Sequence, residues 1–324
     1  VNSGSMTQGQ VVALYNLMAQ ILVELIKMAN LFITITKSLA CADRVAAVMQ
    51  LDSGAHGGNK LPANGSPCGS VEFKNVSFEY KNAGAEALFD ISFFAKPGQT
   101  VGIIGGTGSG KSTLVNLVPN FYSATKGQVL IDGVNADEYD RAALLSAVSV
   151  VPQKAVLFEG TIRSNLLMGN PNASEAELFA ALETAQAAEI VRTKPNGIDE
   201  PVLRSGSNFS GGQKQRLSIA RALVHGGRIL ILDDSASALD FATDAKLRAA
   251  IRKLSPAPTT FIVSQRAASV MFADFIIVLD EGRAVGQGTH EELLRNCAVY
   301  REIYASQFPD EAAKLSIPNN TPEG

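Results

Sequence analysis

Cysteine is scarce. Only Cys41, Cys68 and Cys297 occur in 324 residues, widely scattered and with no C-x-x-C pair. This spacing argues against a disulfide framework or a cysteine-held zinc site and favours a reducing compartment. Histidine is as rare. His56, His225 and His290 stand far apart and read as ordinary surface residues. No excess of positive charge is present either. Lysine and arginine number 28 against 31 acids, a net charge of −3. Without a basic field to hold a polyanion, composition argues against nucleic acid as the main partner. What the chain does have is 46% hydrophobic residues, enough to fill the core of one globular domain and leave an appendage.

The appendage lies near the N-terminus. Val11 to Thr36 reads VVALYNLMAQILVELIKMANLFITIT and carries only Glu24 and Lys27 as charges. At about 1.5 Å per residue, such a helix crosses a ~30 Å hydrocarbon layer. Asn16, Gln20, Glu24, Lys27 and Thr34 recur at spacings of three, four or seven and draw one polar stripe down it. The stripe suits a bundle interior or a water-filled pathway, with Glu24 and Lys27 one turn apart and able to pair. A long amphipathic helix packed on a soluble body is the alternative. A signal peptide fits badly, because the charges lie inside the apolar run and no basic stretch precedes it. Lys37 and Arg44 follow the span, which places the N-terminus outside and the remainder in the cytosol. The helix is expected to continue to about residue 50. Residues 51–70, dense in Gly, Pro, Asn and Ser, read as a flexible linker.

Beyond the linker, VEFKNVSFEY alternates like a strand, and ALFDISFFAKPGQTVGIIG delivers a second strand into a glycine-rich loop. That loop is Gly105-Gly106-Thr107-Gly108-Ser109-Gly110-Lys111-Ser112, followed by Thr113 and the helical run KSTLVNLV. The pattern G-x-x-x-x-G-K-[ST] between strand and helix lets backbone N–H groups converge on phosphate oxygens. Lys111 is then placed to bridge the β- and γ-phosphates and Ser112 to ligate Mg²⁺. Further on, Arg228 to Asp234 (RILILDD) reads as a buried parallel strand presenting acids at its C-terminal end, where Asp233 is expected to hold Mg²⁺ through water. Ser210-Gly211-Gly212-Gln213 opens an apolar helix. Its hydroxyl and N–H groups suit a γ-phosphate, although for this motif taken alone a simple helix cap at Ser210 is the favoured reading.

Taken in this order, the motifs resemble the ATP-binding cassette (ABC) family, over Val71 to about Ala305. The resemblance implies an α/β P-loop NTPase domain of ABC type over 71–305. It has a RecA-like core, an antiparallel β subdomain and a helical signature subdomain at about 156–222, and a tail follows at 306–324. It also implies ATP and Mg²⁺ as cofactors. Tyr80 resembles the aromatic that stacks on adenine. Gln153 resembles the glutamine that touches the metal and the attacking water. Asp240, in Ser237-Ala238-Leu239-Asp240, resembles the family's D-loop aspartate, which crosses a dimer interface.

Two departures bear on catalysis. Asp234 stands where most members carry the glutamate base, and Gln265 stands in place of the switch histidine. A carboxylate one methylene short misplaces a base that must lie within ~2.6–3.2 Å of its water. A neutral amide cannot carry a proton to the γ-phosphate. In the family each ATP sits between one protomer's phosphate loop and the other's signature. The intact Phe209-Ser210-Gly211-Gly212-Gln213 beside a weakened site therefore resembles the degenerate-site subunit of heterodimeric multidrug exporters. Arg204 is a further departure, lying where exporters often have glutamate. The N-terminal helix resembles the last membrane helix of an exporter half. The implied protein is a fragment of a longer half-transporter, or one whose remaining helices lie elsewhere. It would sit in the cell membrane with its nucleotide-binding domain in the cytoplasm and a second half-transporter as partner. The alternative is a non-hydrolytic regulatory subunit that clamps ATP. A DNA-processing ABC ATPase fits worse, because only about 100 residues separate phosphate loop and signature and a membrane helix precedes them.

Overall fold

A computed structural model describes residues 4, 6–50, 58–62, 68–81, 83–235 and 237–310. Most of the expected linker, His56 and the tail beyond 310 lie outside the described residues. The chain divides into two units, Val1–Ala55 and His56–Gly324.

The first unit is one unbroken helix, α1 (Gln8–Met49). Thr7 caps it, its hydroxyl accepting from Gln10 N–H at 3.4 Å while Gln10 Oε1 accepts from Thr7 N–H at 2.9 Å. Lys27 Nζ lies 2.7 Å from Glu24 Oε1, the pair that the polar stripe required. The Thr34, Thr36 and Ser38 hydroxyls each donate to the carbonyl four residues back at 2.8 Å, so these polar groups are satisfied within the helix. Among the described residues, α1 is the one helix long and apolar enough to cross a membrane.

The second unit follows the chain through β1 (Val71–Glu79), β2 (Glu86–Ala95), β3 (Thr100–Gly105), α2 (Lys111–Asn116), β4 (Lys126–Ile131), β5 (Val134–Asn135), α3 (Arg141–Ala147) and β6 (Val148–Val151). The helical region holds β7 (Gly160–Thr161), α4 (Ile162–Leu167), α5 (Glu175–Thr184), α6 (Ala188–Arg192), β8 (Pro201–Val202) and α7 (Gly211–His225). After it come β9 (Ile229–Asp233), α8 (Phe241–Arg252), β10 (Thr259–Ser264), α9 (Ala267–Val270), β11 (Phe275–Asp280), β12 (Arg283–Gly288), α10 (His290–Asn296) and α11 (Ala298–Gln307).

Two principal sheets result. One runs β2-β1-β4-β5 and is antiparallel throughout; the other runs β12-β11-β3-β10-β9-β6 and is parallel except at β12. The stretch read from sequence as one strand into the glycine loop is two strands in two sheets. Pro97 and Gly98 divide it: Gly98 takes a left-handed φ of 73° and Gln99 N–H closes the turn on Lys96 O at 3.1 Å.

Alternation along the parallel strands places the core on both sides. Ile103, Ile229, Ile231, Phe261 and Val263 point into a core shared with the antiparallel sheet and α2, whereas Ile104, Leu230, Leu232 and Ile262 point into the core of the helical side. A strand buried on both faces must be apolar along its buried length, and ILIL (229–232) and VGII (101–104) are. The expected linker is pinned at two places among the described residues: Gly58 N–H donates to Tyr139 O and Lys60 N–H to Glu138 O, each at 3.0 Å, with Asp140 N–H donating to Lys60 O at 2.8 Å, while Gly69 and Ser70 N–H donate to Asp132 Oδ1 at 2.6 and 2.8 Å. A side-chain carbon on Gly58 would collide with the Glu138 backbone, so glycine there is a packing requirement as well as a breaker. Ile231→Ala should destabilise the chain by about 2–5 kcal/mol, since Ile231 is fully buried between the sheets. Denaturant titration of the detergent-solubilised chain checks this, and a loss below about 1 kcal/mol would contradict the two-sided packing.

Candidate nucleotide site

The register of the parallel sheet builds the site. Val263 pairs with Ile103 on one side and with Asp233 on the other, so β3, β10 and β9 end at one level. The segments that follow them, Gly106–Gly110, Asp234 and Gln265, emerge together at the carboxyl edge, where open α/β sheets bind ligands.

Gly110 sits at the N-cap of α2 with φ 94°, and a Cβ there would stand 2.8 Å from Leu88 Cδ2 and 2.9 Å from Ala87 O. Only glycine meets both demands. At Gly106 and Gly108 a Cβ would meet nothing within 4 Å, so the loop is open on its concave side. Lys111 Nζ folds back into it, donating to Gly106 O at 2.5 Å, Gly105 O at 3.0 Å and Ser109 Oγ at 3.4 Å. Burial lowers its pKa, opposed by the charges of Asp234 and Asp233.

Ser112 Oγ donates to Asp233 Oδ1 at 3.0 Å. Burial raises the Asp233 pKa, with the Asp234 charge adding to that, while the Ser112 bond and Lys111 oppose it. Asp234 follows in a left-handed conformation, φ 44°, its N–H bonded to Val263 O at 2.9 Å. Gln153 Nε2 donates to Asp234 Oδ2 at 3.2 Å, and Thr107 Oγ1 donates to Gln265 Oε1 at 3.5 Å. Tyr80 OH lies 2.9 Å from Thr113 Oγ1 and its ring meets Phe78 and Tyr122 edge-on.

All of these border one cavity of about 520 Å³: Tyr80, Thr107, Gly108, Gly110, Lys111, Ser112, Thr113, Gln153, Asp233, Asp234 and Gln265. Gly105, Gly106 and Ser109 adjoin it through Lys111. Five bordering residues escaped the sequence reading of the site: Glu86, Ala87, Val263, Glu281 and Gly282. Gly282, at the tip between β11 and β12, donates its N–H to Ser109 O at 3.3 Å and accepts from Phe89 N–H at 2.8 Å. It thus straps the phosphate loop to the antiparallel sheet. The Glu281-Gly282 pair was readable as a turn, but nothing local indicated where the turn would land.

The signature residues are elsewhere. None of Ser210, Gly211, Gly212, Gln213 and Asp240 borders the cavity. Ser210 caps α7, its hydroxyl accepting from Gln213 N–H at 3.3 Å and Gln213 Oε1 accepting from Ser210 N–H at 2.9 Å. Asp240 caps α8 by accepting from Thr243 N–H at 2.9 Å and Thr243 Oγ1 at 2.8 Å, which lowers its pKa. The helix-cap reading of Ser210 is therefore realised in the chain by itself.

The donor set fits a magnesium nucleotide. Lys111 spends its N–H donors on loop carbonyls that an anion would displace, and the Ser112 hydroxyl beside the Asp233 carboxylate offers two hard oxygens. Mg²⁺ takes one or two such protein ligands and completes its shell with phosphate and water. Among the described residues no group of three or more His, Cys, Asp or Glu could hold a metal by itself.

A glycine loop, an acid-ended parallel strand, an antiparallel subdomain and a helical insertion define a P-loop nucleotide-binding domain of the ABC type. Residues 88–237 match the ABC transporter family. The chain is 41% identical over 312 residues to an uncharacterized ABC transporter ATP-binding protein of Mycobacterium tuberculosis, covering 95% of this chain and 53% of the relative. It is 36% identical over 312 residues to the ATP-dependent lipid A-core flippase of Xanthomonas oryzae pv. oryzae, covering 96% of this chain and 53% of the flippase. A solved bacterial Atm1-family ABC exporter with ATP bound superposes with a TM-score of 0.78 at 33% identity, over 94% of this chain and 53% of that one. The chain therefore carries an ABC transporter ATP-binding domain, related to exporter-type ABC proteins, and spans about half the length of the curated relatives it matches.

The left-handed backbone at residue 234 discriminates among substitutions. Asp234→Asn should leave thermal stability near that of the parent, whereas Asp234→Val should cost about 1–3 kcal/mol, because a β-branched residue is strained at φ 44°. Thermal unfolding of the two variants checks this, and equal midpoints would contradict the strain.

Proposed function

We propose that this chain is the ATP-binding part of an exporter-type half-transporter, pairing with a second, non-identical half-transporter across two nucleotide sites. The observation that carries the reading is the separation described above: Lys111, Asp233, Asp234 and Gln265 share one cavity while Ser210 to Gln213 stand outside it. A phosphate loop and a signature that do not meet within one chain are complementary halves for two chains set head to tail.

In this reading Tyr80 stacks on the base, Lys111 and the N–H groups of the loop orient the phosphates, and Ser112, Asp233 and Gln153 hold Mg²⁺. The metal supplies charge neutralisation on the phosphates. Asp234 holds the attacking water poorly: its carboxylate is one methylene short of a glutamate's and is already engaged by Gln153 Nε2. A base displaced by ~1 Å loses on the order of a hundredfold in rate. Gln265 offers a neutral contact to the γ-phosphate and no proton. The chain's own site is therefore slow, while Ser210 to Gln213 complete the competent site of the partner, whose turnover powers efflux of a small or lipophilic substrate. The span of α1, the pairing of its only two mid-span charges, Glu24 and Lys27, and the likeness to membrane exporters support placement in the cell membrane with the nucleotide domain in the cytoplasm.

A second reading is favoured by one contact. Gln153 engaging Asp234 suits a site that binds ATP without turning it over, a regulatory clamp whose binding energy shifts the conformational equilibrium.

Asp234→Glu combined with Gln265→His should raise ATP turnover at this site in the assembled dimer by about tenfold or more, because both the base and the protonatable contact are restored. Single-turnover ATP decay measures this, and an unchanged rate with ATP still bound favours the clamp. Ser210→Ala should slow hydrolysis at the partner's site and leave this chain's own site unaffected. Loss confined to the chain's own site would refute the crossed arrangement.

A further inference from the structure

The loop carrying Gln265 is held from outside by the last described helix. Arg266 occupies the N-cap of α9 and makes no side-chain cap bond. The first helical residue, Ala267, is fully buried, so its N–H needs another partner. Gln307, at the end of α11, supplies it: Gln307 Oε1 accepts from Ala267 N–H at 2.8 Å, and Gln307 Nε2 donates to Gln265 O at 2.9 Å. A backbone N–H can only donate and a carbonyl can only accept, so the two contacts together fix which end of the amide faces which group.

The base of this clamp is rigid. Tyr300 and Tyr304 of α11 are 0% and 3% exposed, and Tyr300 OH lies 2.7 Å from His290 Nδ1. From the other side, the Arg266 guanidinium stacks 4.0 Å from the Phe241 ring centroid at the start of α8. Residues 265–267 are thus gripped between the C-terminal helix and the segment that follows Asp234.

We propose that Gln307 is a positioning residue for the nucleotide site. By bridging the Gln265 carbonyl and the Ala267 N–H, it sets the backbone from which the Gln265 amide reaches the γ-phosphate. This rests on the reading of Gln265 as the γ-phosphate contact. The consequence is a preference for ATP over ADP that depends on α11, an element that does not border the cavity.

The test uses the full chain in detergent and equilibrium titration with magnesium-ATP and magnesium-ADP. Gln307→Ala should weaken ATP binding about three- to tenfold, the range expected for one lost hydrogen bond, and leave ADP binding unchanged. Gln265→Ala should give the same loss, and the double variant should lose no more than either single one. Gln307→Glu keeps the acceptor for Ala267 N–H but sets a carboxylate against the Gln265 carbonyl. It should retain the thermal midpoint better than Gln307→Ala and still lose the ATP preference. Equal weakening of ATP and ADP by Gln307→Ala would reduce Gln307 to a structural cap and overturn the proposal, as would an unchanged preference in Gln307→Ala when Gln265→Ala has lost it. An unchanged preference in Gln265→Ala would overturn the reading of Gln265, and the proposal with it.

Discussion

Hydrogen-bond register across β3, β10 and β9 is the constraint on which the site depends. Because Val263 pairs with both Ile103 and Asp233, the three strands terminate together, and their next residues have nowhere to go but the same edge. The phosphate loop precedes the acid pair and Gln265 by more than a hundred residues, yet no side-chain interaction is needed to gather them. What holds the register is burial on both faces, since a slip of one residue would exchange the Ile229/Ile231 set with Leu230/Leu232 between two differently shaped cores.

Within that frame the electrostatics are those of a site awaiting an anion. Lys111 is desolvated and turned onto carbonyls, Asp233 is raised by burial and by the Asp234 charge, and Gln153 and Gln265 add only neutral groups. A polyphosphate with its cation complements both groups, bringing negative charge to Lys111 and positive charge to Asp233. The proposed slow turnover rests on two residues of this site, the neutral glutamine at 265 and the carboxylate at 234, one methylene shorter than a glutamate's.

Local motifs were legible and distant approaches were not. The glycine loop with Lys111 and Ser112, the ILILD strand and the SGGQ helix start each announce themselves, because each is one element with its own backbone requirement. The Pro97-Gly98 turn was missed: the apolar alternation on either side of it continues, and periodicity says nothing about a change of sheet. Glu281-Gly282 and Gln307 were missed for another reason. Gly282 meets Ser109 and Phe89, and Gln307 meets a carbonyl 42 positions earlier. Such contacts depend on where whole elements pack.

By itself, the sequence determined the kinds of element and their chemistry: a membrane-length apolar helix with an internal ion pair, a loop that must be glycine where φ is positive, and acids at the end of a buried strand. These follow from steric and solvation demands that each residue meets with its near neighbours. Only the tertiary structure decided that Tyr80, Gln153 and Gln265 share a cavity, that Ser210 and Asp240 serve as helix caps outside it, and that α11 reaches the loop at Gln265. Those outcomes are set by the packing of two cores against one sheet, a long-range condition that no local pattern encodes.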